Sequence, residues 1–315
     1  MNNLIFLVGL PGVGKTTYAQ KLVNDDDNTK WISSDAIREE MWGDANDQQD
    51  PGVIFAEMER RTVRALNEGK SVIYDATNLN SRRRRATLKS IREQTDEFAA
   101  ICYVVVCSIS ECKRRQSLRD RKVPDEVIDR MARQFQTPNY GEGWDTILIV
   151  GNGKQQDLDK EMERLRQTPH ENPHHTTESI GAHCVAALSH VDELARQENL
   201  PEQYLPFLRE ATYYHDIGKR KTKVFYDKNG NPTDIAHYYS HDNVGAYLWL
   251  SGNKRGNWTD RQVLEIANLI QWHMVIYTLP NKTLDGVLEW CAKRGFSGLF
   301  AKALWVLHEA DRLAH

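Results

Sequence analysis

The sequence has few cysteines, and it has no apolar run long enough to cross a membrane. Its 315 residues include five cysteines, an odd number, and contain no C-x-x-C pair. These features argue against a disulfide framework and a cysteine zinc site, and they predict reduced thiols. The main apolar runs, Leu4–Val8 and Ile101–Cys107, have the length of strands, whereas a membrane span needs about 18 residues. No basic leader precedes the first run, so we expect a cytoplasmic protein without membrane contact.

The sequence also lacks an excess of positive charge. Lysine and arginine number 41 against 44 aspartates and glutamates, a formal net charge of −3. Any contact with a nucleic acid must therefore come from local basic clusters rather than from an overall field. With 40% hydrophobic and 27% charged residues, the composition is typical of a globular protein, and the length suffices for two domains.

Short apolar runs alternate with helix-patterned stretches in the first half of the chain. The runs are rich in valine and isoleucine and lack strict alternation, as expected of parallel strands buried on both faces. This rhythm predicts an α/β domain with a parallel sheet over residues 1–150. The predicted strands are Leu4–Val8, Trp31–Ser33, Ser71–Asp75, Ile101–Cys107 and Thr146–Val150.

The pattern changes after Val150. Gly151-Asn152-Gly153 breaks the chain and a charged, proline-containing segment follows, so residues 151–173 are predicted to form a linker. From there apolar residues recur at helical spacing, which predicts an all-α domain over residues 174–315 with a turn-rich insertion at Asp227–Thr233. The predicted helices are Ser179–Gln197, Glu202–His215, His241–Leu250, Asp260–His273, Leu284–Lys293 and Ser297–Leu313.

A phosphate-binding loop follows the first predicted strand. The residues from Gly9 to Thr16 read G-x-x-x-x-G-K-[ST] and stand between a strand and a helix. Glycines let backbone N–H groups surround a phosphate, the lysine adds a positive charge, and the hydroxyl can bind Mg²⁺. The motif predicts binding of ATP with Mg²⁺ through Gly9, Gly12, Gly14, Lys15, Thr16 and Thr17.

Two carboxylates stand where later strands end. Asp35 follows the second strand, where it could accept a proton from an acceptor hydroxyl, and Arg38 could bind an acceptor phosphate one helical turn later. Helix N-capping explains Asp35 equally well. Asp75 closes the third strand, and a place near Mg²⁺ is favoured for it over a capping role.

Two basic runs follow these carboxylates. Lys113–Lys122 includes Arg115 and Arg119, and it fits either a solvated helix or a lid over the phosphates. Arg82–Arg85 is a run of four arginines, of which a helix can direct at most two toward one groove.

Together these segments resemble the 5′-kinase domain of phage-type polynucleotide kinases over roughly residues 1–150. The resemblance implies that Asp35 is the general base for a 5′-hydroxyl and that Arg38 binds the terminal phosphodiester of the acceptor. It also implies that Arg115 and Arg119 are lid arginines on the ATP phosphates. The Asp-x-Asp phosphatase motif of those enzymes is absent from this sequence. The matching segments are Gly9–Thr17, Asp35-x-x-Arg38, Val72–Asn80 and Arg115-x-x-x-Arg119 before Val123-Pro124.

Histidines and aspartates recur in separate helical segments of the second half. Helical bundles build metal sites in their cores from such converging residues, and imidazole with carboxylate suits one or two divalent transition metals, Zn, Mn, Fe or Ni. Without a metal, a buried set of this kind would leave several polar groups unsatisfied at about 1–3 kcal/mol each. The set is His183, His215, Asp216, His241, His273 and Asp311.

The order of this set resembles the HD superfamily of metal-dependent phosphohydrolases over roughly residues 174–315. The matching segments are His183–Leu188, Tyr214–Lys219 and His308–Asp311. The resemblance implies that Asp216 bridges two metals and that Lys219 contacts a phosphate. The implied ligands are His183, His215, Asp216 and Asp311 for the first metal, and Asp216, His241 and His273 for the second.

Three of the histidines outside this set could also take part in chemistry. His174, His175 and His237 fit surface residues better than they fit general acids or substrate contacts.

These features predict a bifunctional enzyme that heals RNA or DNA ends. The first domain would phosphorylate 5′-hydroxyl ends, the second would remove a 3′-phosphate or a 2′,3′-cyclic phosphate, and a nucleic-acid ligase would be the functional partner. Two alternatives stay open: a small-molecule kinase joined to a nucleotide phosphohydrolase, and a nucleotide-sensing module whose helical half is inactive.

Overall fold

The structure is a computed structural model that describes residues 2–47, 49–120, 122–172 and 177–315. The chain divides into two compact units. The first comprises Met1–Ile128 with Tyr140–Gly153, and the second comprises Asp129–Asn139 with Lys154–His315. Within the described ranges, no helix is both long enough and apolar enough to span a membrane.

Five parallel strands form the sheet of the first unit, in the order β2-β3-β1-β4-β5. Leu7 and Ser33 pair in register with Asp75 from its two sides, so the carboxyl ends of three strands meet at one edge. The predicted parallel α/β architecture is confirmed. The strands are β1 (Asn2–Val8), β2 (Thr29–Ser33), β3 (Ser71–Asp75), β4 (Phe98–Val106) and β5 (Thr146–Gly151).

Helices connect these strands, and side-chain caps fix where several of them begin. Asp50 accepts hydrogen bonds from two backbone amides and precedes Pro51, which is favourable in the first helical turn. Asn80 likewise accepts from the Arg83 amide. The last helix begins in the first unit, and its residues from Asp129 onward belong to the second. The helices are α1 (Lys15–Asn24), α2 (Ser34–Trp42), α3 (Pro51–Asn67), α4 (Ser81–Arg92), α5 (Ile109–Ser117) and α6 (Asp125–Gln134).

The run of four arginines in α4 serves the fold. The buried Arg84 guanidinium donates to both carboxylate oxygens of the buried Glu142, over 2.7 and 2.6 Å. The Trp144 indole donates to the same carboxylate at 2.9 Å, so the buried charges are paired and hydrogen-bonded. The Arg83 guanidinium lies 4.6 Å from the centre of the Phe55 ring. At least two of the four arginines therefore make structural contacts.

The second unit is helical, as predicted, with one two-stranded antiparallel hairpin. The hairpin surrounds the turn-rich segment that the sequence places at Asp227–Thr233. Its strands are β6 (Val224–Tyr226) and β7 (Pro232–His237). The helices are α7 (Leu158–Arg166), α8 (Ile180–Gln197), α9 (Leu205–Tyr214), α10 (Lys219–Thr222), α11 (His241–Leu250), α12 (Asp260–Trp272), α13 (Leu284–Ala292) and α14 (Gly298–Leu313).

The segment predicted as a linker, residues 151–173, differs from that expectation. It contains α7, whose Leu158, Met162 and Leu165 are buried. The helix packs closely on α8, because a Cβ at Gly181 would lie 2.6 Å from the backbone nitrogen of Arg166. Apolar burial on one face of α7 thus makes it part of the second unit.

Residues 129–139, which the sequence analysis places in the first domain, belong to the second unit. Buried amide hydrogen bonds hold them there. The Gln271 carbonyl oxygen accepts from the Thr137 backbone at 2.7 Å, and its amide donates to the Phe135 carbonyl at 3.2 Å. Asn243 donates to the Arg133 carbonyl at 2.7 Å. The division between the units is therefore discontinuous along the chain.

Candidate phosphate loop and metal centre

The loop after β1 has the backbone conformation that its glycines predict. Gly12 and Gly14 have φ values of 85° and 96°, in the left-handed region that favours glycine. A Cβ at Gly12 would lie 2.6 Å from the backbone oxygen of Cys112, so a larger residue is also excluded by space. The Gly9 amide donates to the Thr77 carbonyl at 3.1 Å, which ties the start of the loop to the segment after β3.

Lys15 folds back over this loop. Its Nζ donates to the carbonyls of Gly9 and Leu10 over 2.9 and 3.0 Å. Burial lowers the pKa of Lys15, and the negative charge of Asp75 opposes that shift. Thr16 and Thr17 are exposed in the first turn of α1, beside the lysine. The ATP-binding residues predicted from the motif therefore lie together in this loop and the first turn of α1.

Asp35 lies in the first turn of α2. The Ser33 side chain, rather than Asp35, caps this helix by accepting from the Ala36 amide at 3.4 Å. The Asp35 side chain is 56% exposed and accepts from Arg38 Nη1 at 3.0 Å. The N-cap of α2, the alternative role predicted for Asp35, is therefore Ser33.

Arg38 is the buried partner in that ion pair. Its side chain is 8% exposed, against 56% for Asp35. Its Nε makes no hydrogen bond within the described part of the chain. A buried guanidinium with an unused donor is poised to bind an anion.

Asp75 lies at the carboxyl end of β3, between the ends of β1 and β2. It is buried, and its Oδ2 accepts from the Trp31 indole at 3.1 Å. Burial raises the pKa of Asp75, Lys15 and the Trp31 hydrogen bond oppose the shift, and the negative charge of Asp35 adds to it. Both predicted carboxylates therefore lie within electrostatic range of Lys15.

The two predicted lid arginines differ in their contacts. Arg115 Nη1 donates to the carbonyls of Gly12 and Val13 over 3.3 and 3.1 Å, and Nη2 donates to the Asn152 carbonyl at 2.8 Å. Its guanidinium is thus hydrogen-bonded to the backbone of the phosphate loop. Arg119 is exposed beyond the end of α5, and its charge acts on Lys15. The lid role of each stays a prediction.

The loop has two further supports that the sequence analysis missed. The Asn152 amide donates to the Val13 carbonyl at 2.7 Å, although the sequence pattern marks this residue only as a chain break. Glu111 accepts hydrogen bonds from both Arg114 and Arg115. The hydrogen bond from Arg114 lowers the pKa of Glu111 to about 2, although burial opposes this shift. The signal for Glu111 was its spacing of three and four residues before two arginines.

The six predicted metal ligands of the second unit converge in its core. All are buried. Ligand atoms within each of two triplets lie within 4.8 Å of one another, and Cys184 forms a third such group with His215 and Asp216. The triplets are His183, His215 and Asp311, and Asp216, His241 and His273.

Asp216 stands between the two triplets. Its Oδ2 lies 3.4 Å from His215 Nε2, and its Oδ1 lies 3.3 Å from His241 Nε2. On one side His183 Nε2 is 2.8 Å from an Asp311 oxygen. On the other, the Nε2 atoms of His241 and His273 are 3.1 Å apart. The carboxylate that the HD resemblance implies as a bridge thus has one oxygen toward each triplet.

Backbone carbonyls orient three of the histidines. The Nδ1 atoms of His215, His241 and His273 lie 2.7, 2.8 and 2.7 Å from the carbonyl of the residue three positions earlier. These carbonyls can only accept, so Nδ1 carries the proton and the Nε2 lone pairs face the cluster. His215 Nε2 makes no hydrogen bond to any described residue. The unbonded His215 Nε2, together with two further Nε2 atoms only 3.1 Å apart beside the buried Asp216, fits a divalent metal.

Lys219 also reaches this cluster. Its buried Nζ lies 2.7 Å from Asp216 Oδ2. Burial opposes ionisation of Asp216, but the positive charge of Lys219 is the largest opposing cause, and the pKa of Asp216 lies well below its usual value. In this structure the lysine predicted to contact a phosphate contacts a predicted metal ligand.

Two aromatic side chains near the cluster were not predicted. The Tyr277 hydroxyl donates to Asp311 Oδ2 at 3.4 Å. The His170 ring packs edge-to-face on His183, with centroids 5.6 Å apart, although the sequence places it in a linker. His174 and His175 lie outside the described residues, and His237 ends β7.

Residues 4–138 match the family model of an AAA domain. An L-seryl-tRNA(Sec) kinase from Methanococcus maripaludis is 28% identical over 149 residues, which are 45% of this chain and 56% of that protein. The chain thus spans just over half the length of the curated relative that it matches.

Solved structures show weaker similarity. A chain of the Pnkp1/Rnl/Hen1 RNA repair complex is 24% identical, with 42% of this chain and 43% of that chain covered at a TM-score of 0.38. A fungal RNA kinase is 19% identical, with 52% and 82% covered at a TM-score of 0.38. A gluconokinase from Sinorhizobium meliloti 1021 is 17% identical, with 48% and 83% covered at a TM-score of 0.35. The strand order, the phosphate loop and the family match together make the first unit a P-loop kinase-like domain.

Proposed function

We propose that this chain is a bifunctional enzyme that heals nucleic-acid ends. Its first unit would transfer the γ-phosphoryl group of ATP to a 5′-hydroxyl, and its second would remove a 3′-phosphate or a 2′,3′-cyclic phosphate. The observation that carries the proposal is that one chain holds a phosphate loop beside an aspartate–arginine pair and also a buried cluster of six metal-ligating side chains. Both reactions prepare an end for a ligase.

The kinase step uses residues that lie around the phosphate loop. Asp35 would accept the proton of the 5′-hydroxyl. The hydroxyl oxygen would form a bond to the γ-phosphorus as the bond between that phosphorus and the leaving ADP oxygen breaks. Lys15 would exchange its two carbonyl partners for phosphate oxygens. Thr16 and Asp75 would hold the Mg²⁺ that accompanies ATP.

Arg38 favours an acceptor that carries a phosphodiester. Its guanidinium is buried and its Nε is available, so it can bind a phosphate next to the hydroxyl that Asp35 deprotonates. The relative from Methanococcus maripaludis is named as a kinase of L-seryl-tRNA(Sec), which is compatible with an acceptor that contains a nucleic acid. A small-molecule acceptor that carries no phosphate would leave the Arg38 Nε donor unused.

In the second unit we propose a phosphohydrolase of the HD type. His183, His215 and Asp311 would hold one divalent transition metal, His241 and His273 a second, and Asp216 would contact both. Such metals would polarise the phosphoryl group and stabilise the charge of the transition state. Lys219 holds Asp216 in place and can offer a further donor to a phosphate.

The test is to map both ends of one substrate. We would incubate the protein with ATP and a 5′-hydroxyl oligonucleotide that bears a 2′,3′-cyclic phosphate, in RNA form and, with a 3′-phosphate, in DNA form. The proposal expects a new 5′-phosphate and loss of the 3′ phosphate. Lys15→Ala should lose only the first product and His215→Ala only the second. Efficient phosphorylation of free nucleosides or sugars by the wild type would instead favour the small-molecule alternative.

A further inference from the structure

A hairpin interrupts the helical second unit beside the metal cluster. Its first strand, β6, follows α10, whose Lys219 forms an ion pair with Asp216. Its second strand, β7, leads into His241, whose Nδ1 donates to the Tyr238 carbonyl at 2.8 Å. The Tyr238 hydroxyl in turn donates to the His170 carbonyl. Both ends of the hairpin are therefore fixed at the cluster.

The segment that forms the hairpin is basic and aromatic. Residues 219–239 hold five lysines and arginines against two aspartates, in a chain whose net charge is −3. They also hold one phenylalanine and three tyrosines. Lys219, Arg220 and Lys223 form ion pairs with carboxylates outside the segment, so the exposed Lys221 and Lys228 are the cations that can face an anionic ligand. The basic residues are Lys219, Arg220, Lys221, Lys223 and Lys228.

Contacts link three rings of the hairpin. Its strands pair irregularly, because Val224 lies opposite His237 whereas Tyr226 lies opposite Pro232 after a shift in register. The His237 and Tyr239 rings are stacked, with centroids 5.3 Å apart and planes at 7°. The Tyr239 hydroxyl donates to the Tyr226 carbonyl at 3.4 Å. We call Tyr226, His237 and Tyr239 the aromatic face.

The turn that joins the strands is held by its own side chains. Asp227 Oδ1 accepts from the backbone amides of Asn229 and Asn231 over 2.8 and 2.9 Å. Gly230 has φ 86°, in the region where glycine is favoured. The aromatic face is thus ordered before any ligand binds, which reduces the entropy lost on binding.

We propose that the aromatic face binds the single-stranded 3′ segment of a nucleic acid whose terminal phosphate enters the metal cluster. Exposed rings stack on any base and nearby cations neutralise the backbone phosphates, which is how single strands are held without sequence preference. Tyr226 is 45% exposed, so its ring is accessible. The inference rests on the proposed phosphohydrolase and adds its substrate class. A duplex end keeps its bases paired and stacked, so it would bind less well.

The test compares a long and a short substrate of the same reaction. In Tyr226→Ala/Tyr239→Ala, the KM for a single-stranded oligonucleotide 2′,3′-cyclic phosphate should rise about tenfold for each ring removed. The KM for a mononucleotide 2′,3′-cyclic phosphate, which has no preceding base to stack, is the internal reference and should not change. Tyr226→Phe/Tyr239→Phe should behave as the wild type. Tyr140→Ala is the matched control, because Tyr140 is an exposed tyrosine, 39% accessible, that belongs to the first unit.

A separate measurement distinguishes failure of this inference from failure of the proposed hydrolase. Fluorescence anisotropy would follow binding of a labelled single-stranded oligonucleotide without a terminal phosphate to the full chain. If the wild type hydrolyses neither substrate but the tyrosine variant weakens this binding, the hydrolase proposal fails and the binding face stands. If hydrolysis occurs and the variant changes neither binding nor KM, the binding face is refuted. Equal affinity for a duplex of the same length would refute its preference for single strands.

Discussion

The two candidate sites are held together in different ways. The phosphate loop is built from backbone, and Lys15 finds its two carbonyl partners within six residues along the chain. The cluster of predicted metal ligands is built from side chains that reach one core from five places between His183 and Asp311. A site made of backbone is formed when its unit folds, whereas a cluster of buried carboxylates and imidazoles needs a cation to compensate its charges. We therefore expect only the second site to depend on a metal for its integrity.

The largest expected effect is in the second unit. Asp216→Ala should abolish 3′-end hydrolysis and lower the metal content, because Asp216 has one oxygen toward each triplet of ligands. The 5′-kinase activity should persist, since the first unit has its own sheet and core. Elemental analysis of the purified variant and separate assays of the two activities check this. His241→Ala is the graded comparison and should lose only the metal of the second triplet. Full hydrolysis by Asp216→Ala would remove this residue from the site.

The corresponding change in the first unit should have a smaller effect. Asp35→Ala should reduce phosphoryl transfer to a 5′-hydroxyl by at least ~10²-fold, the scale expected when a general base is lost. ATP affinity should change little, because the loop and Lys15 are untouched. Steady-state kinetics and an ATP-binding titration separate the two quantities. Unchanged turnover in this variant would exclude Asp35 as the base.

Removal of metal should lower the unfolding temperature of the second unit and leave that of the first unit unchanged. A ligand that binds only the folded state at 100 times its Kd stabilises it by about 2.7 kcal/mol, so a chelator should lower the unfolding temperature of the second unit by the corresponding amount. The first unit should respond to ATP with Mg²⁺ instead. Scanning calorimetry of the wild type with and without each ligand measures both transitions. His215→Ala serves as the control, because its second unit should no longer respond to the chelator.

The same contrast explains what could be predicted from the sequence. The sheet and the phosphate loop could be predicted because each strand and the loop motif have a sequence pattern that spans only a few neighbouring residues. The convergence of the six predicted metal ligands could be predicted only from their order in separate helical segments, since no local spacing joins them. Contacts between residues far apart in the sequence could not be predicted. Thr137 bonds to Gln271 over 134 positions, which moves residues 129–139 into the second unit.

Two segments make contacts that their local sequence patterns do not show. The glycines before α7 and the prolines after it indicate a linker. The apolar residues Leu158, Met162 and Leu165, which are buried along one face, are what make this segment a packed helix. The basic run of α5 fitted a lid or a solvated helix. Nothing in its local pattern shows that the Arg115 guanidinium reaches the Gly12 carbonyl, 103 positions away.

The smallest expected effect tests how local the phosphate loop is. Asn152→Ala removes a 2.7 Å hydrogen bond to the Val13 carbonyl but leaves that of Arg115 to the same oxygen at 3.1 Å. Loss of one neutral hydrogen bond costs about 1 kcal/mol, so the KM for ATP should rise roughly fivefold with kcat nearly unchanged. Asn28→Ala is the matched control, because it removes an amide–carbonyl hydrogen bond of 3.0 Å to Gly69 instead. An equal change in both variants would mean that Asn152 acts through general stability. A change confined to Asn152→Ala would show that the loop depends on a residue 139 positions away in the chain.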